Sequence, residues 1–184
     1  DPELKTLLAD AKAVVIPAVG PKLSPDLFEG SSVKLVQVTG AGVDRLDGAA
    51  MKRLGIAVAN VAGGSNTALA EYTVSLALVL MRRFAWADAE IKKGNYVDFR
   101  KQMISENLTG LEDMTVGVIG LGSIGLAVAT AFHRMGSKIV YHDPALKDPT
   151  DADQISALAL PLEDVLKLSD VVTLHVPLIP ETEG

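Results

Sequence analysis

The stretch from Val116 to Gly125 places the strongest constraint on how this chain can fold. Its β-prone apolar residues run into the pattern G-x-G-x-x-G, and small apolar residues suited to a packed helix follow. A strand that enters a helix through such a turn is typical of a βαβ dinucleotide-binding unit. A second apolar run, residues 138–142, ends at Asp143, roughly 20 residues on, where such units carry a ribose-binding acid. This context favours a dinucleotide site over an ordinary glycine-rich turn.

Each residue type in the pattern has a separate physical role. Gly120 permits the tight turn, Gly122 lets the backbone approach a pyrophosphate, and Gly125 lets helix and strand pack closely. The free N–H groups and the dipole of the helix start would face the phosphates. Asp143 would accept hydrogen bonds from the adenosine ribose, and its carboxylate would repel a 2′-phosphate. The sequence therefore predicts NAD rather than NADP as the cofactor.

Composition excludes several classes of function. With 48% hydrophobic and 22% charged residues, the chain is predicted to be a soluble globular protein with a substantial core. A net charge of −6 gives no basic footprint for nucleic acid. The lack of cysteine removes thiol chemistry, disulfides and thiolate ligands, and no metal site is predicted. The longest apolar stretch, residues 73–81, is too short to span a bilayer, so we expect no membrane partner and a cytoplasmic location.

The hydrophobic pattern divides the chain into two α/β halves. Strand-like and helix-like segments alternate before residue 60 and again after residue 115, which indicates parallel sheets covered by helices. Apolar residues recur at three- and four-residue steps from Asn66 to about Lys93, which predicts one long helix. Residues 94–114 are polar and poorly periodic, so they are predicted to connect two domains. Further elements are predicted as strands at 115–119, 138–142 and 171–176, helices at 123–135 and 162–168, and a polar loop through Asp153.

Five motifs then occur in a fixed order along the chain. They are Val38-Thr39-Gly40-Ala41-Gly42-Val43-Asp44, Asn66-Thr67-Ala68-Leu69-Ala70-Glu71, residues 116–125, Tyr141-His142-Asp143-Pro144 and His175-Val176-Pro177-Leu178. Together they resemble the D-isomer-specific 2-hydroxyacid dehydrogenase family from about Val33 onward. The resemblance implies an α/β fold with a flavodoxin-like substrate-side domain over residues 1–93 and an NAD-binding Rossmann domain over residues 94–184. It further implies that the first domain is truncated at its start, the second at its end, and that the active site lies between them.

The resemblance also implies roles for matching residues. Ala41, Gly42 and Val43 match the family's substrate-side loop, whose backbone N–H groups hold the substrate carboxylate. An ordinary turn at Ala41-Gly42 and a plain strand end at Val176-Pro177 remain the alternatives. The residues that match the cofactor side are Gly120, Gly122, Ser123, Ile124 and Gly125 at the pyrophosphate turn, Asp143 at the ribose, His175, Val176 and Pro177 beside the adenine and the nicotinamide ribose, and Thr182 in the downstream loop.

No catalytic residue is assigned within the chain. Family members carry a catalytic Arg, a Glu and a His paired with it after the last motif, so the 184-residue chain alone is expected to be inactive. The three histidines do not match that position: His133 is predicted in a helix, His142 at the adenosine end and His175 on the cofactor side.

The implied activity is an NAD-dependent hydride transfer to or from a small 2-hydroxy or 2-keto acid, in a homodimer. One alternative is a non-catalytic NAD-binding or corepressor-like sensing module. Another is a related enzyme that acts on a small anion such as formate or phosphite. Arg, Glu and His residues downstream would favour the enzyme, and substrate screening would separate the two enzymes.

Overall fold

The computed structural model describes residues 2–177 and 182–183, and the chain divides into two compact units at Ser65/Asn66. Unit 1 contains α1 (Pro2–Ala9), β1 (Ala13–Ile16), a 3₁₀ turn (Pro25–Leu27), β2 (Leu35–Val38), α2 (Gly48–Arg53) and β3 (Ala57–Ala59). Unit 2 contains α3 (Asn66–Met81), α4 (Phe84–Lys92), α5 (Tyr96–Ser105), β4 (Thr115–Ile119), α6 (Ser123–Arg134), β5 (Lys138–His142), α7 (Thr150–Gln154), β6 (Leu158–Ala159), α8 (Leu162–Leu168) and β7 (Val171–Leu174). No helix within these described ranges is long and apolar enough to cross a membrane.

Unit 1 is built on a three-stranded parallel sheet in the order β1-β2-β3. Val36 and Val38 on the central strand are fully buried, as a strand with neighbours on both sides requires. Asp47 caps α2, because its carboxylate accepts a hydrogen bond from the Ala50 amide at 2.9 Å. Because β2 and β3 are paired in parallel, their carboxyl ends lie side by side at one edge of the sheet.

Unit 2 is built on a four-stranded parallel sheet in the order β6-β5-β4-β7. The chain runs outward from β4 to β6 and then returns through α8 to place β7 on the other side of β4. This order is that of one half of a Rossmann fold, and ligands of such sheets bind where the strand order reverses, beyond the carboxyl ends of the strands. That position lies between the ends of β4 and β7.

The structure places the division between the units earlier than residues 93–94, where the sequence predicted it. The reason is the position of α3, because Ala70 and Ala77 share a core with Val128 and Phe132 of α6. Periodicity identified α3 as a helix, but only packing shows which sheet the helix accompanies.

Two predictions in residues 66–114 need correction. The single helix predicted from Asn66 to Lys93 is two helices, because Arg83 adopts a left-handed conformation with φ +50° and interrupts the helix between α3 and α4. The predicted connection at 94–114 contains α5. Phe99 anchors this helix, since its ring packs edge to face against that of Trp86 at 5.7 Å and the residue is only 8% exposed. The helix was missed because most other α5 residues are polar.

A smaller correction concerns the predicted polar loop through Asp153, which contains α7. The other elements predicted from residue 115 onward, which are β4, α6, β5, α8 and β7, lie within about two residues of their predicted bounds, and α8 matches its prediction at both ends.

Candidate functional site

The glycine turn lies between the ends of β4 and β7, as the strand order requires. Gly120 has φ +86°, and a Cβ atom there would lie 2.7 Å from the carbonyl oxygen of His175. A Cβ atom on Gly125 would overlap the carbonyl oxygen of Gly120 itself. Both positions therefore need glycine for the turn and for the close seating of α6, as the pattern predicted.

Gly122 differs from the other two because its surroundings are open. A Cβ atom on Gly122 would have no neighbouring atom within 4 Å, and its backbone is extended with φ −68°. It begins α6, whose first helical bond runs from the Leu126 amide to the Gly122 carbonyl at 2.8 Å. Among the described residues no side chain caps this helix start. The first amides of α6 thus have no side-chain cap and begin beside open space, which suits an anionic ligand.

Ser123 and Ile124, which lie between Gly122 and Gly125, are the first two residues of α6, and their side chains have different environments. Ile124 packs against the core of unit 2, whereas the side chain of Ser123 is exposed. The Ser123 carbonyl accepts a hydrogen bond from Nδ2 of Asn66 at 3.1 Å. Asn66 thereby joins the start of α3 to the turn, a contact that helical periodicity does not indicate.

Asp143 reaches the glycine turn with its side chain. Its Oδ2 accepts a hydrogen bond from the Leu121 amide at 2.7 Å, and its Oδ1 accepts one from the Ala145 amide at 2.9 Å. The carboxylate is half-buried and borders an open cavity of about 420 Å³ whose walls include His142 and Leu160. The structure therefore brings the predicted ribose-binding acid to the turn predicted to hold the pyrophosphate.

The residues after β7 form the opposite wall of the turn. The His175 amide donates to the carbonyl oxygen of Ile119 at 2.8 Å, which continues the pairing of β7 with β4. Val176 and Pro177 follow and are exposed, and Thr182 Oγ1 donates to the Pro177 carbonyl oxygen at 2.5 Å. His175 and Val176 thus adjoin Gly120, while Leu178 of the same motif lies outside the described residues.

The imidazole of His175 is held near Thr173, with 2.9 Å between Nε2 and Thr173 Oγ1. Burial lowers the pKa of His175, because desolvation disfavours the charged ring. A histidine whose pKa is lowered by folding contributes stability at pH values above the ordinary histidine pKa. This contribution is lost as the pH falls through the pKa of the folded state.

NMR titration of the His175 ring protons is therefore expected to give a midpoint below 6.5, the ordinary value. The free energy of unfolding should decrease as the pH is lowered below 6.5, and the His175→Gln variant should lose part of this dependence. A midpoint at or above 6.5 would contradict the burial of the ring seen in the structure.

The predicted substrate turn of unit 1 follows β2. Ala41 and Val43 are exposed there, and the turn is held from the end of β3. Asn60 Nδ2 donates to the Ala41 carbonyl oxygen at 2.7 Å, and the Val61 amide donates to the Gly40 carbonyl oxygen at 3.1 Å. Two successive carbonyl groups are thus drawn toward β3.

Asn60 and Arg45 are two supporting residues that sequence analysis missed. Arg45 binds the loop after β1 through the carbonyl oxygens of Pro17, at 2.8 Å, and Pro21, at 3.0 Å. A signal for Asn60 was present, because it lies at the carboxyl end of an apolar run whose end meets that of β2. Nothing local in the sequence signals the contacts of Arg45.

Comparison with known proteins agrees with this geometry. Residues 74–184 match the family described as D-isomer specific 2-hydroxyacid dehydrogenase, NAD binding domain. The chain belongs to this family. Its cofactor is NAD, and the predictions of family, α/β Rossmann architecture and cofactor are confirmed.

Relatives within the family include D-3-phosphoglycerate dehydrogenases. The human protein is 33% identical over 183 residues, which are 99% of this chain and 33% of that protein. The protein from Synechocystis sp. is 36% identical over 153 residues, which are 83% of this chain and 26% of that protein. The chain thus spans about one third or less of the length of these curated relatives.

Solved structures of the family share the architecture. D-lactate dehydrogenase from Aquifex aeolicus, complexed with NAD and lactic acid, is 28% identical with a TM-score of 0.80, over 97% of this chain and 52% of that one. The apo D-mandelate dehydrogenase from Rhodotorula graminis is 26% identical with a TM-score of 0.82, over 98% of this chain and 56% of that one.

The residues at the turn fit the NAD of the family. The open backbone face at Gly122 leaves space for a pyrophosphate that a side chain would fill, and α6 starts there without a side-chain cap from the described residues. Asp143 adds a carboxylate at the same edge, suited to ribose hydroxyl groups.

Proposed function

We propose that this chain contributes the cofactor site and the substrate-carboxylate turn of an NAD-dependent oxidoreductase acting on a small D-2-hydroxy or 2-keto acid. The observation that carries the proposal is the open, uncapped start of α6 at Gly122, with Asp143 beside it. NAD supplies the hydride-accepting nicotinamide when it is bound, and the residues of this chain bind and orient the reactants.

In unit 2, the amides at Gly122, Ser123 and Ile124 bind the pyrophosphate. The helix dipole of α6 adds to this attraction, since it places partial positive charge at the helix start. Asp143 accepts hydrogen bonds from the adenosine ribose hydroxyl groups, and the same carboxylate repels the 2′-phosphate of NADP. The segment His175, Val176 and Pro177, with Thr182 attached to it, borders the adenine and the nicotinamide ribose.

In unit 1, the backbone N–H groups of Ala41, Gly42 and Val43 bind the substrate carboxylate. Such bonds are charge-assisted, so they are shorter and stronger than bonds between neutral groups. Asn60 supports this role, because its bond to the Ala41 carbonyl oxygen sets the orientation of the Ala41–Gly42 peptide. Unit 1 is accordingly the substrate-side domain and unit 2 the NAD-binding domain, in a cytoplasmic homodimer.

Proton transfer is assigned to residues outside those described. By the family resemblance, a His paired with a Glu exchanges the proton on the substrate oxygen, and an Arg pairs with the substrate carboxylate and polarises the carbonyl. The 184-residue chain alone should therefore bind NADH without catalysing its oxidation.

The test is cofactor titration combined with a substrate screen. Fluorescence titration of the 184-residue chain should show NADH binding, and NADPH binding at least about tenfold weaker, the discrimination expected of a like charge at the 2′-position. The full-length gene product should reduce NAD with at least one of D-3-phosphoglycerate, D-lactate or D-mandelate, and the L-isomers serve as controls. NAD binding without any turnover in the full-length product would favour the non-catalytic sensing module.

The Asn60→Ala variant tests the substrate turn separately. Losing one supporting hydrogen bond of about 1 kcal/mol should raise the KM for the 2-hydroxy acid about fivefold in the full-length enzyme, with the NAD affinity unchanged. Asn95→Ala is the matched control, because Asn95 bonds only Glu90 among the described side chains and lies in unit 2. An unchanged KM in Asn60→Ala would remove the turn from the substrate site.

A further inference from the structure

We propose that Asp143 is a positioning residue for the phosphate-binding turn, in addition to any contact it makes with the cofactor ribose. The functional part of the proposal rests on the NAD site proposed above. The observation behind it is the hydrogen bond of 2.7 Å from the Leu121 amide to Asp143 Oδ2, which joins the first variable residue of G-x-G-x-x-G to the end of β5.

The carboxylate replaces a backbone acceptor at the point where the sheet ends. Strands β4 and β5 pair in parallel register up to Ile119 opposite His142. The Gly120 amide still bonds a backbone carbonyl, that of His142, at 2.9 Å. The next amide along the turn, that of Leu121, bonds the side chain of Asp143 instead. Asp143 therefore extends the hydrogen-bond pattern of the sheet one step into the turn.

The other carboxylate oxygen fixes the direction of the side chain. Asp143 Oδ1 accepts from the Ala145 amide at 2.9 Å, and the intervening Pro144 has no amide hydrogen to compete. A carboxylate held at both oxygens by backbone amides has little rotational freedom. Hydrogen bonds to a charged acceptor are also worth more than neutral ones, about 1.5–3 kcal/mol each, which corresponds to roughly 10- to 100-fold in an equilibrium constant.

Leu121 transmits this restraint to the residue that meets the phosphates. Its side chain is 3% exposed and belongs to the core of unit 2, while its amide is held by Asp143. Leu121 is thus fixed at both its side chain and its backbone. The following residue is Gly122, whose open backbone face receives the pyrophosphate. The direction of that face depends on the Asp143–Leu121 bond.

A consequence concerns the choice between NAD and NADP. If Asp143 contacted only the ribose, Asp143→Ala would simply relax the preference for NAD. Because the same carboxylate also holds the turn, its removal weakens the binding of the pyrophosphate common to both cofactors. Asp143→Ala should therefore lose NAD affinity without gaining a useful affinity for NADP.

The decisive probe is an NAD analogue whose adenosine ribose lacks both the 2′- and the 3′-hydroxyl group. Asp143→Ala removes both carboxylate oxygens, so the Leu121 amide loses its side-chain acceptor. This variant should weaken the dideoxy analogue about tenfold and NAD by at least as much, since NAD also loses its ribose contact, as measured by calorimetric titration. An unchanged dissociation constant for the analogue would show that Asp143 acts only through the ribose, and would overturn the proposal.

Hydrogen exchange gives a readout that needs no ligand. In Asp143→Ala, the Leu121 amide should exchange at least about tenfold faster than in the wild-type chain. Faster exchange of Leu121 would support the positioning role even if the wild-type chain failed to bind NAD, which would be a failure of the proposed function alone. Unchanged exchange of Leu121 would overturn the positioning role.

Asp170→Ala is the matched control for both measurements. Asp170 Oδ2 accepts from the Thr115 amide at 2.9 Å, which is the same kind of bond at the opposite end of β4. This variant should accelerate exchange at Thr115 and leave the dissociation constants of NAD and its analogue unchanged. An equal loss of NAD affinity in Asp170→Ala would attribute the Asp143 effect to general weakening of the sheet and would overturn the proposal.

Discussion

The Gly122→Val variant is expected to fold with nearly wild-type stability and to lose NAD affinity about 100-fold or more, the value of one or two charge-assisted hydrogen bonds. The fold should tolerate the change, because the backbone at Gly122 is extended with φ −68° and a Cβ atom there meets no other atom within 4 Å. The cost of valine in place of glycine at a helix start is about 1 kcal/mol. NAD binding should be lost, because in the proposed site the valine side chain occupies the space through which the pyrophosphate reaches the amides of α6.

Gly110→Val is the control for Gly122→Val. A Cβ atom on Gly110 likewise meets nothing within 4 Å, and Gly110 lies before β4, away from the carboxyl ends of the strands. NADH fluorescence titration should give a wild-type dissociation constant for Gly110→Val. Retention of NAD affinity in Gly122→Val would remove the start of α6 from the cofactor site.

The Gly125→Ala variant is expected to lose stability as well as NAD binding. The added Cβ atom would overlap the carbonyl oxygen of Gly120, so α6 must shift away from the turn. Overpacking of this kind costs about 1–3 kcal/mol or more in the free energy of unfolding. The shift also displaces the helix start, so NAD affinity should fall even in the fraction of molecules that remains folded.

Denaturant unfolding of Gly125→Ala can be followed through Trp86, the only tryptophan of the chain, which lies in α4 of unit 2. Gly110→Ala serves as the control, with an unchanged midpoint expected. If Gly125→Ala unfolded at the wild-type denaturant concentration, the close seating of α6 on the turn would be contradicted.

The two glycine variants separate roles that the motif alone merges. In the sequence, Gly122 and Gly125 are equivalent letters of one pattern. In the structure, one glycine faces open space and the other faces a carbonyl group. The expected outcomes therefore differ: one variant loses only its ligand, whereas the other also loses stability.

Local sequence predicted those parts of the fold that local interactions decide. The passage from β4 through the glycine turn into α6 was predictable, because β-prone residues, an obligatory tight turn and small helical residues follow one another directly. The helix α8 was predicted at both ends, since its apolar spacing is regular and Pro161 marks its start. The left-handed conformation of Arg83 was not predictable, because position 83 and its two neighbours carry no glycine or proline that would signal a helix break.

By itself, the sequence determined that this chain contains parallel α/β units with a tight G-x-G-x-x-G turn at Gly120 to Gly125, because strand, turn and helix are encoded by adjacent residues. Only the tertiary structure decided that α3 belongs to unit 2, that Asn60 holds the turn after β2, and that Asp143 holds the amide of Leu121. These three features join residues that are distant in the chain. Their partners are selected by strand order and helix packing, which hydrophobic periodicity leaves open.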